Sequence, residues 1–114
     1  MGVQAKYRTV EYLDSFRSNP RDRRTAVEDA RRIAEYLKGE CPAVVFGIGS
    51  AFETGREFGP DSDIDLVVEG IPPERFLSTT AKAALLTRFC VDIIPFETAS
   101  ELVRQRVRED GVRL

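Results

Sequence analysis

Asp61, Asp63 and Asp65 fall within five positions, and the chain runs from them straight into Leu66-Val67-Val68. Side chains alternate across a strand, so in an extended segment 64–69 the side chains of Asp63 and Asp65 point to one face, about 7 Å apart at Cα. Ile64, Leu66 and Val68 then form an unbroken apolar set on the other face. The same parity in a second apolar run, residues 89–94, sends Val91 and Ile93 to one side and Asp92 to the other. If the two strands pair with their apolar sides together, Asp63, Asp65 and Asp92 share a face. Clustered carboxylates raise one another's pKa and protonate unless a cation compensates. An all-oxygen set of this kind suits a hard divalent ion, Mg²⁺ above all, which keeps several waters and binds a few carboxylates together with substrate phosphates. Two such ions about 4 Å apart clamp the attacking and leaving oxygens of an in-line displacement at phosphorus.

The residues upstream fit a phosphate ligand. Gly47 and Gly49 allow close backbone approach after an apolar run, Ser50 offers a hydroxyl and a backbone N–H where a helix can begin, and Arg56 adds positive charge against a triphosphate. Two competing motifs fail. Gly47-Ile48-Gly49 opens a G-x-G-x-x-G pattern, but Phe52 replaces its last glycine. Asp61-Ser62-Asp63-Ile64-Asp65 opens like an EF-hand loop, yet Leu66 stands where that loop requires glycine and Pro72 where it requires glutamate. Plainer roles remain open: Asp61 and Ser62 after Pro60 are good turn formers, and Asp92 among apolar neighbours can serve as the partner of an arginine.

The composition narrows the chemistry further. The sequence contains no histidine, which removes every mechanism needing an imidazole base. Its two cysteines, Cys41 and Cys90, lack metal-site spacing and are read as free thiols. A net charge of −2 gives no global field for polyanions and argues against nucleic acid as a partner. Arg17, Arg21, Arg23, Arg24, Arg31 and Arg32 crowd the N-terminal third, as a solvated helix face or as a docking surface. No apolar run approaches the roughly 20 residues that cross a bilayer, so a cytoplasmic protein is expected.

At 114 residues the chain is expected to form one domain, with N-terminal helices over 1–40 and a core over 41–114. Residues 7–17 predict a short helix with Leu13 and Phe16 on its apolar side. A second helix is predicted with Asn19 as N-cap, Pro20 at its first position, Val27, Ala30, Ile33, Ala34 and Leu37 at helical spacing, and Gly39 as its end. Strands are predicted at 43–48, 64–69 and 89–94, and residues 50–62 as a polar segment with a turn of helix near its start. A weak helix over 73–86 is expected to break at Ser78-Thr79-Thr80. Thr98 and Glu101 read as the capping box of a last helix that Gly111 stops. The expected class is therefore α/β (α+β): a small mixed sheet with helices packed on one face and the other face available for a site.

Gly49-Ser50, then Pro60-Asp61-Ser62-Asp63-Ile64-Asp65-Leu66-Val67-Val68, then Val91-Asp92-Ile93-Ile94 resemble the signature of the DNA polymerase beta-like nucleotidyltransferases, in particular their minimal branch. The resemblance covers residues 43 to about 110. It implies that Asp63, Asp65 and Asp92 hold two Mg²⁺ ions, that Gly49 and Ser50 contact the triphosphate of ATP or another NTP, and that Asp92 helps activate an acceptor hydroxyl. The implied reaction transfers a nucleoside monophosphate, AMP where ATP is the donor, to that hydroxyl, on a protein or a small molecule, and releases pyrophosphate. Minimal members resemble antitoxins encoded beside a helical HEPN-domain partner, which implies such a protein, or a second copy of the chain, as the presenter of the acceptor. Gly55-Arg56 stands in the reverse of the family's usual order, in a longer spacer. The alternative is a non-catalytic module that keeps the fold and neutralises a partner by docking.

Overall fold

A computed structural model describes residues 20–114. The predicted helix over 7–17, with Leu13, Phe16 and Arg17, and the predicted N-cap Asn19 lie outside the described residues. The elements run α1 (Pro20–Glu40), β1 (Val44–Ile48), β2 (Ile64–Glu69), α2 (Pro73–Ala84), β3 (Val91–Pro95), a 3₁₀ turn (Phe96–Thr98), α3 (Glu101–Asp110) and β4 (Val112–Arg113). No helix among the described residues is long and apolar enough to cross a membrane.

The strands form one four-stranded mixed sheet in the order β3-β2-β1-β4. β1 runs antiparallel to β2 and to β4, while β2 and β3 are parallel and joined through α2. On one face, Val45, Ile64, Leu66 and Val68 pack against the buried stripe Ala26, Ala30, Ile33, Ala34 and Leu37 of α1. Each large side chain so buried contributes about 1.5–3 kcal/mol. That term fixes the register of β2, because a slip of one residue would turn Ile64 and Leu66 out to water and Asp65 into the core. The other face carries a smaller cluster, Ile48, Val67 and Val107 with Phe46, Ile94, Phe96 and Val103 beside it. α3 therefore lies across part of the face opposite α1, and the remainder of that face stays open.

Several boundaries differ from the sequence expectation. α1 continues through Gly39 to Glu40, and the Cys41 N–H donates to the Leu37 carbonyl at 3.0 Å. α2 is unbroken across Ser78-Thr79-Thr80: the Ser78 and Thr80 hydroxyls donate back to the carbonyls of Arg75 and Phe76 at 3.3 and 2.8 Å, and Thr79 is buried. β3 starts at Val91, because Phe89 is spent as a core plug, edge-on to Phe58 with ring centroids 5.4 Å apart. The cap of α3 is Ser100, whose hydroxyl accepts from the Val103 N–H at 3.2 Å; Thr98 belongs to the preceding 3₁₀ turn, so the predicted Thr98/Glu101 box does not form. Gly111 does end α3, at φ −68°, and leads into β4, an edge strand of two residues that no periodicity could announce.

Candidate functional site

Parallel pairing of β2 with β3 sets Asp65 opposite Asp92. Register partners on neighbouring strands project to the same side, with the strands about 4.8 Å apart. Asp65 is half-buried and Asp92 exposed, while Asp63 is exposed at the mouth of β2. Val91 and Ile93 pack into the α1 core and Ile94 into the cluster under α3, so Asp65 and Asp92 occupy the partly open face, beside Val67. Burial first, then the charge of Asp92, then that of Asp63, push the Asp65 carboxyl above its ordinary range, while Arg106 and Arg56 act against them. Asp92 and Asp63 thus act electrostatically on Asp65, and the strand geometry brings Asp65 and Asp92 side by side.

The turn after β1 completes this side of the site. Gly49 has φ +85°, and a Cβ there would lie 2.8 Å from Oδ2 of Asp65, so both the backbone and the neighbouring carboxylate require glycine. At Gly47 an added Cβ would meet the Phe52 ring at 2.4 Å. The Phe52 N–H donates to the Gly49 carbonyl at 3.0 Å, closing a turn, and residues 50–55 continue as turns and a bend. The expected turn of helix at Ser50 is therefore absent, replaced by a glycine turn. Ser50 is half-buried, and its carbonyl accepts from Nη2 of Arg23 in α1 at 3.1 Å; Nε of Arg23 is buried without a partner.

Arg56 is exposed and donates to Oε1 of Glu53 at 2.7 Å. The other oxygen of Glu53 faces Nη2 of Arg106, from α3, at 3.6 Å. Hydrogen bonding from Arg56 leads the effects that hold the Glu53 carboxyl below its usual range. Glu53, Arg106 and Arg23 are the members of this neighbourhood that sequence reasoning missed as site residues. The Glu53/Arg56 pair at i, i+3 was visible in principle, whereas Arg106 and Arg23 arrive only through tertiary packing.

The loop that delivers Asp92 is tied to α1. Asp29, 4% exposed, pairs with Arg32 and accepts from the Thr87 hydroxyl at 2.7 Å, and that hydroxyl accepts from the Phe89 N–H at 3.2 Å. Asp22 accepts from Arg88 at 3.0 Å, and the Ile64 N–H reaches the Cys90 carbonyl at 2.8 Å. These bonds set where β3 starts relative to β2. Pro60 and Asp61 form a turn closed from both directions: the Gly59 N–H donates to the Ser62 hydroxyl and the Ser62 N–H to the Gly59 carbonyl, at 3.1 and 3.0 Å.

Among the described residues no group of three His, Cys, Asp or Glu side chains is arranged to hold a metal ion as it stands. The donor chemistry nevertheless suits a divalent cation: hard oxygen ligands that repel one another, two of them aligned by strand register, and two exposed enough to change rotamer. A cavity of about 200 Å³ lies nearby, lined by Glu57, Gly59, Asp61 and Ser62. A cavity of about 490 Å³ lies at the opposite ends of β2 and β3, where Ile71, Pro72, Pro73, Phe76 and Pro95 line it. With Glu97 as its one titratable group, it offers none of this chemistry.

No family model and no curated protein matches the chain. Solved structures do. A chain of the toxin–antitoxin MntA-HepT complex aligns at 20% identity and a TM-score of 0.56, covering 75% of this chain and 68% of that one. A toxin–antitoxin structure with AMP-PNP aligns at 22% identity and 0.60, covering 73% and 69%. A structure of tri-AMPylated Shewanella oneidensis HEPN toxin in complex with MNT antitoxin aligns at 20% identity and 0.57, covering 77% and 70%. At these identities the likeness establishes the fold alone, the mixed α/β fold that this chain shares with the aligned chains of these toxin–antitoxin complexes.

Proposed function

We propose that this chain is a metal-dependent nucleotidyltransferase that transfers AMP from ATP to a hydroxyl of a protein partner, as the antitoxin of a HEPN-type toxin. The observation that carries this reading is the parallel register that sets Asp65 beside Asp92 with Asp63 at the strand mouth, on a face that helices leave partly open. The structural neighbours support it: one was solved with AMP-PNP, and another contains an AMPylated HEPN toxin beside its antitoxin.

In the proposed reaction a partner hydroxyl oxygen forms a bond to the α-phosphorus of ATP, the bond from that phosphorus to the bridging oxygen breaks, and pyrophosphate leaves. Asp92, exposed at the outer strand, accepts the proton of the attacking hydroxyl. The turn at Gly49-Ser50 presents backbone N–H groups to the phosphates, and Arg56 supplies charge for bidentate contact. Asp63, Asp65 and Asp92 would hold the Mg²⁺ ions, which when bound polarise the phosphoryl oxygens and stabilise the leaving group. Relief of the repulsion at Asp65 is the chain's own contribution to holding a cation. A core of this size has little room for an acceptor pocket, so the partner, or a second copy of the chain, presents the hydroxyl.

The test is transfer of label from α-³²P-ATP with Mg²⁺ to a co-purified HEPN partner. Label should appear on the partner with the wild-type chain and vanish with Asp63→Ala and Asp65→Ala; equal labelling by the variants would reject these roles. A second reading is a docking module without catalysis, favoured by the absence of a metal-ready triplet among the described residues. It predicts a stable partner complex and no label with any version of the chain.

A further inference from the structure

Resting on the nucleotidyltransferase reading, we infer that Arg106 is a second phosphate-binding arginine of the site and that the Glu53 carboxylate is an internal stand-in for the phosphate anion, displaced when nucleotide binds. Glu53 bridges two guanidinium groups that come from distant parts of the chain, Arg56 at 2.7 Å in its own loop and Arg106 at 3.6 Å from α3. Both cations also act on Asp65, so the bridged carboxylate stands within electrostatic reach of the aspartate cluster. The side chains of Arg56 and Arg106 are 51% and 41% exposed, which leaves a solvent route to both forks.

Arg106 is the under-used member. Its contact with Glu53, at 3.6 Å, is much looser than the 2.7 Å bond from Arg56, and hydrogen bonding from Arg106 is the weakest of the influences on the Glu53 carboxyl. A guanidinium carries five N–H donors in a planar fork that matches phosphate oxygens two at a time. Held near the carboxylates by α3, exposed and only loosely paired, it is placed to receive a phosphate group. Glu53 meanwhile offsets the mutual repulsion of the two cations in the absence of nucleotide. An exposed pair of this kind is worth little, so a polyphosphate carrying several charges outcompetes it. Glu53 thus sets a threshold: it is an anion that any phosphate ligand must replace.

The inference has a sign that a merely structural ion pair lacks, since removing Glu53 should tighten nucleotide binding. Calorimetric titration of the purified chain with MgATP, and separately with inorganic tripolyphosphate, tests it. Glu53→Gln and Glu53→Ala should each bind both probes roughly two- to tenfold more tightly than wild type, the equivalent of releasing surface ion pairs. Arg106→Met should bind both roughly 10- to 100-fold more weakly, as expected for losing a charge-assisted hydrogen bond, and Arg106→Lys should recover part of the loss. Wild-type binding with unchanged or weaker affinity in both Glu53 variants would overturn the stand-in role and leave the transferase reading intact. An unchanged Arg106→Met would overturn the role of that arginine. A wild-type chain that binds neither probe would overturn the inference and the transferase reading together. Thermal melts of each variant, unaltered by more than a few degrees, establish that affinity and not folding has been measured.

Discussion

Replacing Asp65 with asparagine should stabilise the protein while abolishing its proposed chemistry. The carboxyl of Asp65 is raised above its ordinary value of 3.8 by burial and by the charges of Asp92 and Asp63. In the pH range between the ordinary and the raised value the native state holds more protons than the unfolded chain, so stability falls as pH rises through that window and stays low above it. Asparagine keeps the shape and removes the charge. Relief of such functional-site repulsion commonly adds about 0.5–2 kcal/mol. Asp63 and Asp92 are exposed and their fields are screened by water, which places this site at the lower end, about 0.5–1 kcal/mol. For a domain of this size that is a rise in Tm of about 2–5 °C. Thermal melts of wild type and Asp65→Asn at pH 7.5 and at steps down toward pH 4 supply the measurement, with the gap closing as wild-type Asp65 takes up its proton. Mg²⁺ should raise the Tm of wild type alone, by about 1.4 kcal/mol of added stability at ten times its Kd. A variant less stable than wild type at pH 7.5, or a gap unaffected by pH, would refute the claim that these carboxylates repel one another.

Two further substitutions probe the elements that position the site. Asp29→Ala should lower stability in urea by about 1–3 kcal/mol, because it leaves the Thr87 hydroxyl without its acceptor in a buried network; a loss below about 0.5 kcal/mol would mean that α1 does not anchor the loop before β3. Gly49→Ala should cost about 1–2 kcal/mol for the left-handed backbone alone and should also displace the Asp65 carboxylate 2.8 Å from the new Cβ. MgATP binding should therefore fall by more than the stability loss explains, and unchanged calorimetric affinity would detach the turn from the site.

The strand content was legible where parity and composition agreed. Ile64, Leu66 and Val68 alternate with Asp63 and Asp65, and the structure keeps that alternation because the apolar members are buried, with 1% or less of their surface exposed. The T-x-x-E pattern at Thr98 misled because Ser100, a better-placed hydroxyl, caps α3 two residues later, while Thr98 is wound into the end of a 3₁₀ turn and Ala99 is extended between them. Ser78-Thr79-Thr80 misled for the opposite reason: hydroxyls that break helices by bonding locally can instead return their protons to carbonyls within the helix, as Ser78 and Thr80 do. β4 carries two exposed residues and is held by β1 and by the Leu114 N–H on the Val45 carbonyl at 2.9 Å, contacts with no local signature.

The site divides along the same physical line. Residues that lie on one strand or one turn can be placed by spacing, and Asp63, Asp65, Gly49 and Ser50 are of this kind. Asp92 needed one further condition, parallel pairing through α2, which the sequence leaves open and the Ile64–Val91 register supplies. Arg106 needed the path of the whole C-terminal segment: the 3₁₀ turn after β3 swings α3 onto the face opposite α1, and Val103 and Val107 anchor it against Val67 and Ile48. Val107 is buried in this cluster and Arg106 precedes it, so the packing that covers part of the second face also brings a guanidinium within electrostatic reach of Asp65. Truncation before α3 would accordingly remove a core element and a site charge in one step, whereas Arg106→Met removes only the charge, and it is the second experiment that separates folding from phosphate recognition.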